Sequence, residues 1–135
     1  MASWLLKSDP ETYGFADLER DRTTRWDGVA NNLALKHLGK VQAGDTCLVY
    51  HSGAEKAIVG LARAKGDAYA DPRDAKLVVF DLEFVRRLAK PVTLAVLKAD
   101  AHFADFALVR MPRLSVMPVP APLYARILRL AGETP

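Results

Sequence analysis

Thr46-Cys47-Leu48-Val49-Tyr50-His51 is apolar at nearly every consecutive position, with no wet face. A short run of this kind reads as a strand buried on both sides, and it stops at Ser52-Gly53. Upstream, Val41 to Asp45 reads as a turn. Before that turn, Ala30, Ala34 and Leu38 repeat at helical spacing, with Leu35 widening the stripe and Gly39 at the expected stop. Downstream, Ala57 to Ala64 is a second strand, in which Gly60 marks a bulge or a close approach of another group. After a loop from Asp67 to Lys76, Leu77 to Val85 alternates, with Phe80, Leu82 and Phe84 on one face and Asp81 and Glu83 on the other. At the N-terminus, Ser3 to Ser8 is a strand ended by Asp9-Pro10, and Phe15 to Arg20 is a short helix followed by a polar turn from Asp21 to Thr24. Toward the C-terminus, Pro91 to Lys98 predicts a short helix beginning near Thr93. His102 to Val109 then predicts a turn and an extended piece, Leu114 to Val119 an edge strand, and Pro122 to Leu130 a terminal helix stopped by Gly132. Strands punctuated by short helices without regular alternation predict an α+β domain with a mixed, barrel-like sheet.

The chain has 135 residues, 50% hydrophobic and 26% charged, which suits one globular domain and argues against disorder. No apolar run approaches the length of a membrane span, and the first residues are too soon charged for a signal peptide. Cys47 is the single cysteine, consistent with a reducing compartment, and the expected location is cytoplasmic. The net charge of +3 is unevenly spread: residues 1–84 carry −2, whereas residues 85–135 carry +5. The excess comes from Arg86, Arg87, Lys90, Lys98, Arg110, Arg113, Arg126 and Arg129. On one face these would attract phosphates; dispersed, they would be a solvated surface.

Arg25-Trp26-Asp27-Gly28-Val29-Ala30-Asn31 is the first candidate site. A flat ring, a carboxylate, a glycine and an amide precede a helix whose first amides Asp27 is placed to accept from. Such a segment suits a planar, hydrogen-bonding ligand such as a nucleobase, or equally a core tryptophan beside a capping aspartate. Tyr50-His51-Ser52, at the end of an apolar strand, is a second candidate pocket mouth, or simply a strand emerging into solvent. Trp4 reads as core. His37, His51, His102 and Cys47 match no metal-ligand spacing, so neither a metal nor a cofactor is expected. Cys47 and His51 lie about 13 Å apart along an ideal strand, too far to act as nucleophile and base. No phosphate loop, nucleophile elbow or carboxylate pair demands an enzyme.

Taken together, Trp4-Leu5-Leu6-Lys7-Ser8-Asp9-Pro10, Trp26-Asp27-Gly28-Val29-Ala30-Asn31, Gly44-Asp45, Tyr50-His51-Ser52 and Leu114-Ser115-Val116-Met117-Pro118-Val119 closely resemble the EVE domain family, which includes the thymocyte nuclear protein group. That family belongs to the PUA-like superfamily with the YTH and ASCH domains. The resemblance implies a curved mixed β-barrel of about five to six strands with short helices packed around it. It also implies a non-catalytic module that captures a modified base in nucleic acid, such as a C5-modified cytosine in DNA or a modified base in RNA. Carried over by position, it lines the pocket with Trp26, Asp27, Gly28, Val29 and Asn31, adds Lys7, Ser8, Tyr50, His51 and Ser52 from strand ends, and closes the rim with Arg113 and Ser115. Asp9 replaces the family's usual Glu, and Ala30-Asn31-Asn32 replaces Arg-Asn-Tyr, which removes a phosphate contact and a stacking surface beside the pocket. The competing readings are an enzyme acting on a nucleotide or nucleic acid, with His51 or Asp27 as general base, and a small-molecule or protein-interaction domain that no longer binds bases.

Overall fold

A computed structural model describes residues 1–133. Its framework is one mixed sheet of seven strands, in the order β2-β6-β4-β3-β1-β7, with β5 paired to β6. The strands are β1 (Ser3–Ser8), β2 (Thr23–Trp26), β3 (Thr46–His51), β4 (Ala57–Ala64), β5 (Tyr69–Asp71), β6 (Asp74–Thr93) and β7 (Val116–Pro118). Around them lie α1 (Pro10–Tyr13), α2 (Phe15–Asp21), α3 (Asn32–Leu38), α4 (Leu94–Lys98), α5 (Ala107–Arg110) and α6 (Ala121–Leu130), with a 3₁₀ turn at Ala101–Phe103. The α+β class follows directly, and the strand count exceeds the expected five or six because two short edge strands join the sheet.

The doubly buried strand sits where its composition requires. Cys47 to His51 of β3 are all buried, between β1 and β4. β1 and β3 are parallel, in register from Ser3 opposite Thr46 to Ser8 opposite His51; the remaining pairings are antiparallel. Leu5, Leu6, Leu48, Ile58, Phe80 and Leu82 make the center of the core. Register shifts at Val49/Tyr50, Ile58/Gly60 and Leu61/Ala62 curve the sheet by inserting residues into one strand of a pair. Gly60 is the close approach its position suggests: a Cβ there would lie 2.2 Å from Cζ of Phe15.

Four local expectations are corrected. Thr23 and Thr24, read as part of a turn, begin β2, which pairs antiparallel with β6 from Thr23 opposite Glu83 to Trp26 opposite Phe80. The stretch from Asp67 to Lys76 is not a loop but contains β5 and a tight hairpin into β6. β6 itself runs for 20 residues because β2, β4 and β5 each give it hydrogen bonds along a different part of its length, overriding its polar stretch at Arg86-Arg87. His102 to Val109 is helical rather than extended, turning first at Ala101–Phe103 and again in α5.

The eight C-terminal cations do not form one free basic face. Arg86 pairs with Glu133, Arg87 with Glu19, Arg110 with Asp105 and Arg126 with Asp100. The last pair joins α6 to the corner after α4: Arg126 Nε donates to Asp100 Oδ2 at 2.7 Å. This guanidinium, then the His102 backbone and ring, pull the Asp100 carboxyl down to about 2 from its usual 3.8. A depressed carboxylate stabilises the fold fully above its unfolded value, and that contribution is lost as pH falls through the folded one. Urea midpoints should therefore drop between about pH 4 and pH 2, and Asp100→Asn should flatten that limb. An unchanged acid limb in the variant would remove the pair from any role in acid stability.

Candidate functional site

A cleft of about 490 Å³ opens where the end of β1 meets the end of β2. Lys7 and Ser8 enter it from β1, Tyr13 from α1, and Thr24 to Gly28 from β2 and the residues beyond it. Asp9-Pro10 brings Tyr13 there: the Asp9 carboxylate caps α1 by accepting from the Glu11 amide at 2.9 Å, and Pro10 stands in the first helical position. Trp26 is 7% exposed, packed largely into the core above Phe15, Leu18 and Val49, so the cleft floor has aromatic backing that cannot swing away. Gly28 has φ +77°, a left-handed conformation that side chains rarely adopt, and a Cβ there would meet no atom within 4 Å. Its glycine is needed for the turn of the backbone rather than for clearance against the protein.

Asp27 does not cap the following helix. That cap belongs to Asn31, whose Oδ1 accepts from the Ala34 amide at 3.0 Å. Asp27 instead faces the cleft and holds Arg73, whose Nη2 donates to its Oδ2 at 2.8 Å. Arg73 is itself fixed by the buried Asp71, which accepts from its backbone amide at 2.9 Å and from Nε at 3.3 Å. The hairpin between β5 and β6 thus reaches back across the sequence to position one carboxylate oxygen of Asp27, and the pair lowers the pKa of Asp71 chiefly through the Arg73 side chain.

Lys7 is tethered on three sides. Its Nζ donates to the Pro112 carbonyl at 2.8 Å and lies 5.7 Å from the center of the Tyr50 ring. Its backbone amide donates to the Ser115 carbonyl at 2.9 Å. Partial burial lowers its pKa. Tyr50 is buried beneath it, and burial raises the phenol's pKa. Ser115 contributes its backbone to the support of Lys7, while Ser52 ties its amide and hydroxyl to the Ser8 carbonyl, at 2.9 and 3.3 Å. The Ser8 hydroxyl donates to the Tyr13 carbonyl. Val29 is buried in the core. Asn31 and Arg113 line a second groove beside the cleft rather than the cleft itself.

His51 is turned inward. The Phe15 backbone amide donates to its Nε2 at 2.9 Å, and an amide can only donate, so the ring proton sits on Nδ1, 2.7 Å from Glu55 Oε1. Nε2 thus joins β3 to the start of α2, and Nδ1 joins it to the turn that leads into β4. Cys47 is fully buried on the same strand, and desolvation pushes its thiol far above the usual range. Neither offers an accessible acid, base or nucleophile to the cleft. Thr12, Tyr13 and Thr24 also line the cleft without a sequence signal: the four-residue α1 has no periodicity to announce Thr12 or Tyr13, and Thr24 lies in a polar stretch that reads as a turn.

A family model described as "EVE domain" matches residues 2–130. Chicken (Gallus gallus) thymocyte nuclear protein 1 is 29% identical over an alignment covering 98% of this chain and 69% of that protein. An NMR structure of a Rhodopseudomonas palustris protein superposes with a TM-score of 0.93 at 37% identity, covering 98% of this chain and 94% of that one. The crystal structure of human THYN1 protein in complex with 5-methylcytosine-containing DNA superposes with a TM-score of 0.87 at 27% identity, with all of both chains covered.

Proposed function

Since this chain belongs to the EVE domain family, with its PUA-like fold, we propose that it is a nucleic-acid-binding module that captures one modified base in the cleft between Lys7 and Gly28. The observation that carries this reading is the cleft itself: about 490 Å³ of aromatic-backed, polar-edged space on a fold shared over its full length with a protein crystallised on 5-methylcytosine DNA. Its size falls within the roughly 300–1,000 Å³ usual for sites that enclose a small planar ligand. The proposed ligand is a C5-modified cytosine in DNA, or a modified base in RNA.

The residues divide the work by chemistry. Tyr13 and Trp26 supply the apolar and aromatic surface that offsets part of the few kcal/mol needed to unstack a base. Asp27 keeps its Oδ1 available while Arg73 holds Oδ2, and a carboxylate is the natural acceptor for the exocyclic amine of cytosine. Lys7, held between Tyr50 and Pro112, donates to the base's carbonyl or ring nitrogen. The open space beside Gly28 admits an added methyl group. Catalysis has no part in this reading, because His51 spends both nitrogens on structure and Asp27 is paired with Arg73.

Fluorescence anisotropy with single-stranded and duplex oligonucleotides, unmodified or carrying one modified cytosine or adenine, tests it. The wild type should prefer one modified oligonucleotide. Asp27→Ala, a change at an exposed position, should cut that preference about tenfold, since a well-placed polar contact to a base edge is worth about 1–3 kcal/mol of discrimination. Equal affinity of the wild type for every oligonucleotide would sink the base-capture reading.

A further inference from the structure

A second groove, of about 460 Å³, runs beside the base cleft between the start of α3 and the segment from Arg110 to Leu114. Two of its walls carry unusually exposed apolar side chains: Leu33 is 37% exposed and Met111 is 43% exposed. Arg110 and Arg113 stand at the same groove, together with Asn31, and among the described residues no carboxylate lines it. The base cleft, by contrast, contains Asp9 and Asp27. Arg113 has no ion-pair partner among the described residues, and Arg110 is held only by Asp105, whose side chain is 96% exposed, a pairing that costs little to exchange for another anion. Asn31 spends its side-chain oxygen on capping α3, which leaves its amide hydrogens to donate outward.

Two links place the groove next to the cleft. Lys7 lines the cleft, while its ammonium donates to the carbonyl of Pro112, a residue of the groove wall. Gly28 lines the cleft and Asn31, three residues on, lines the groove. A chain of alternating flat apolar units and single negative charges fits this sequence of surfaces, and a nucleic-acid strand is such a chain.

We infer that the groove holds the nucleotide next to the captured base on the same strand, with its phosphate on Arg113 and Arg110 and its sugar and base against Leu33 and Met111. This rests on the base-capture reading of the neighboring cleft. The groove then supplies strand affinity, while the cleft supplies the choice of base.

The test uses the full chain with three probes: 5-methyldeoxycytidine alone, a single-stranded DNA 12-mer with one central 5-methylcytosine, and its unmodified counterpart, with RNA 12-mers of the same sequence as a parallel arm. Arg113→Gln should weaken 12-mer binding roughly fivefold at low salt and reduce the salt slope by about one, while leaving nucleoside affinity unchanged. Leu33→Ser with Met111→Ser, both at exposed positions, should abolish the affinity difference between a 12-mer with an intact neighbor and one whose neighbor is abasic. Unchanged 12-mer affinity and slope in Arg113→Gln, with base preference intact, would overturn the groove and leave the cleft. Absence of base preference in the wild type, with the Arg113→Gln slope still reduced, would overturn the cleft reading and leave a strand-binding groove. Equal weakening of nucleoside and 12-mer in either variant would show that these residues belong to the base pocket and would overturn the division of labor.

Discussion

Gly60→Ala is expected to destabilise this protein by about 3 kcal/mol, lowering the melting temperature by on the order of 10 °C, even though it adds a single methyl group. The added carbon would lie 2.2, 2.3 and 2.5 Å from three carbons of the Phe15 ring. Phe15 is 1% exposed, and its ring is confined on other sides by Phe84, 5.2 Å away between centers, and by the Arg87 guanidinium. Moving the ring also strains the Phe15 amide that donates to His51, so the displacement reaches the connection between β3 and α2. Since Phe15 lies under Trp26 at the cleft floor, oligonucleotide binding should weaken in parallel with stability. Phe15→Leu in the same chain should restore part of the loss, a coupling that a double-mutant cycle measures. Melting of Gly60→Ala within a degree of wild type would show instead that the Phe15 ring has room to give way.

Asp45→Ala is expected to cost about 3–5 kcal/mol, because three donors lose one acceptor group together. Asp45 is 3% exposed; its Oδ2 accepts from the Trp4 indole at 2.9 Å and from the Gln42 amide at 2.9 Å, and its Oδ1 accepts from the Ala2 amide at 3.2 Å. Each buried donor left without a partner costs about 1–3 kcal/mol, less where water can reach it. Asp45→Asn should be milder, about 1–2 kcal/mol, since its one oxygen can serve Trp4 and Gln42 while its amide faces the Ala2 donor. Chemical denaturation of the two variants separates these values. Base preference should survive in both, because Trp4 is a core residue away from the cleft; a loss of preference at intact fold would show that the Asp45 network reaches the site.

The parts of the fold that were legible are those where burial imposes a period. β1, β3 and β4 have the predicted bounds because their residues face a core on one or both sides and end at Pro, Gly or a polar cluster. β2 and β5 escaped because edge strands of mixed polarity have no such period: in β2 only Trp26 is buried, and in β5 only Asp71. The same limit governs the site. The motif from Trp26 to Gly28 and the pair Lys7-Ser8 meet in one cleft, as their positions in the chain suggest, because both lie where strands end. Tyr13 and Arg73 arrive through a four-residue helix and a hairpin tip, which only tertiary contacts reveal. At His51 polarity at a strand end reads as a pocket mouth or as a strand emerging into solvent, whereas the ring is buried, accepts from the Phe15 amide and meets Glu55 through Nδ1.

The parallel pairing of β1 with β3 has a kinetic meaning. Lys7 stands opposite Tyr50 and Ser8 opposite His51, so the two sides of this pair are brought together from far apart in the chain, and α1, α2, β2 and α3 all lie in the connection between them. Closing such a loop costs chain entropy before any contact repays it, which places parallel pairing among the slower events of folding. The cleft is assembled from the end of β1 and from the middle of that connection. A chain that has not yet docked β1 on β3 therefore lacks the wall that Lys7 and Ser8 give the cleft, so ligand binding on this scaffold reports that the long-range pairing has formed.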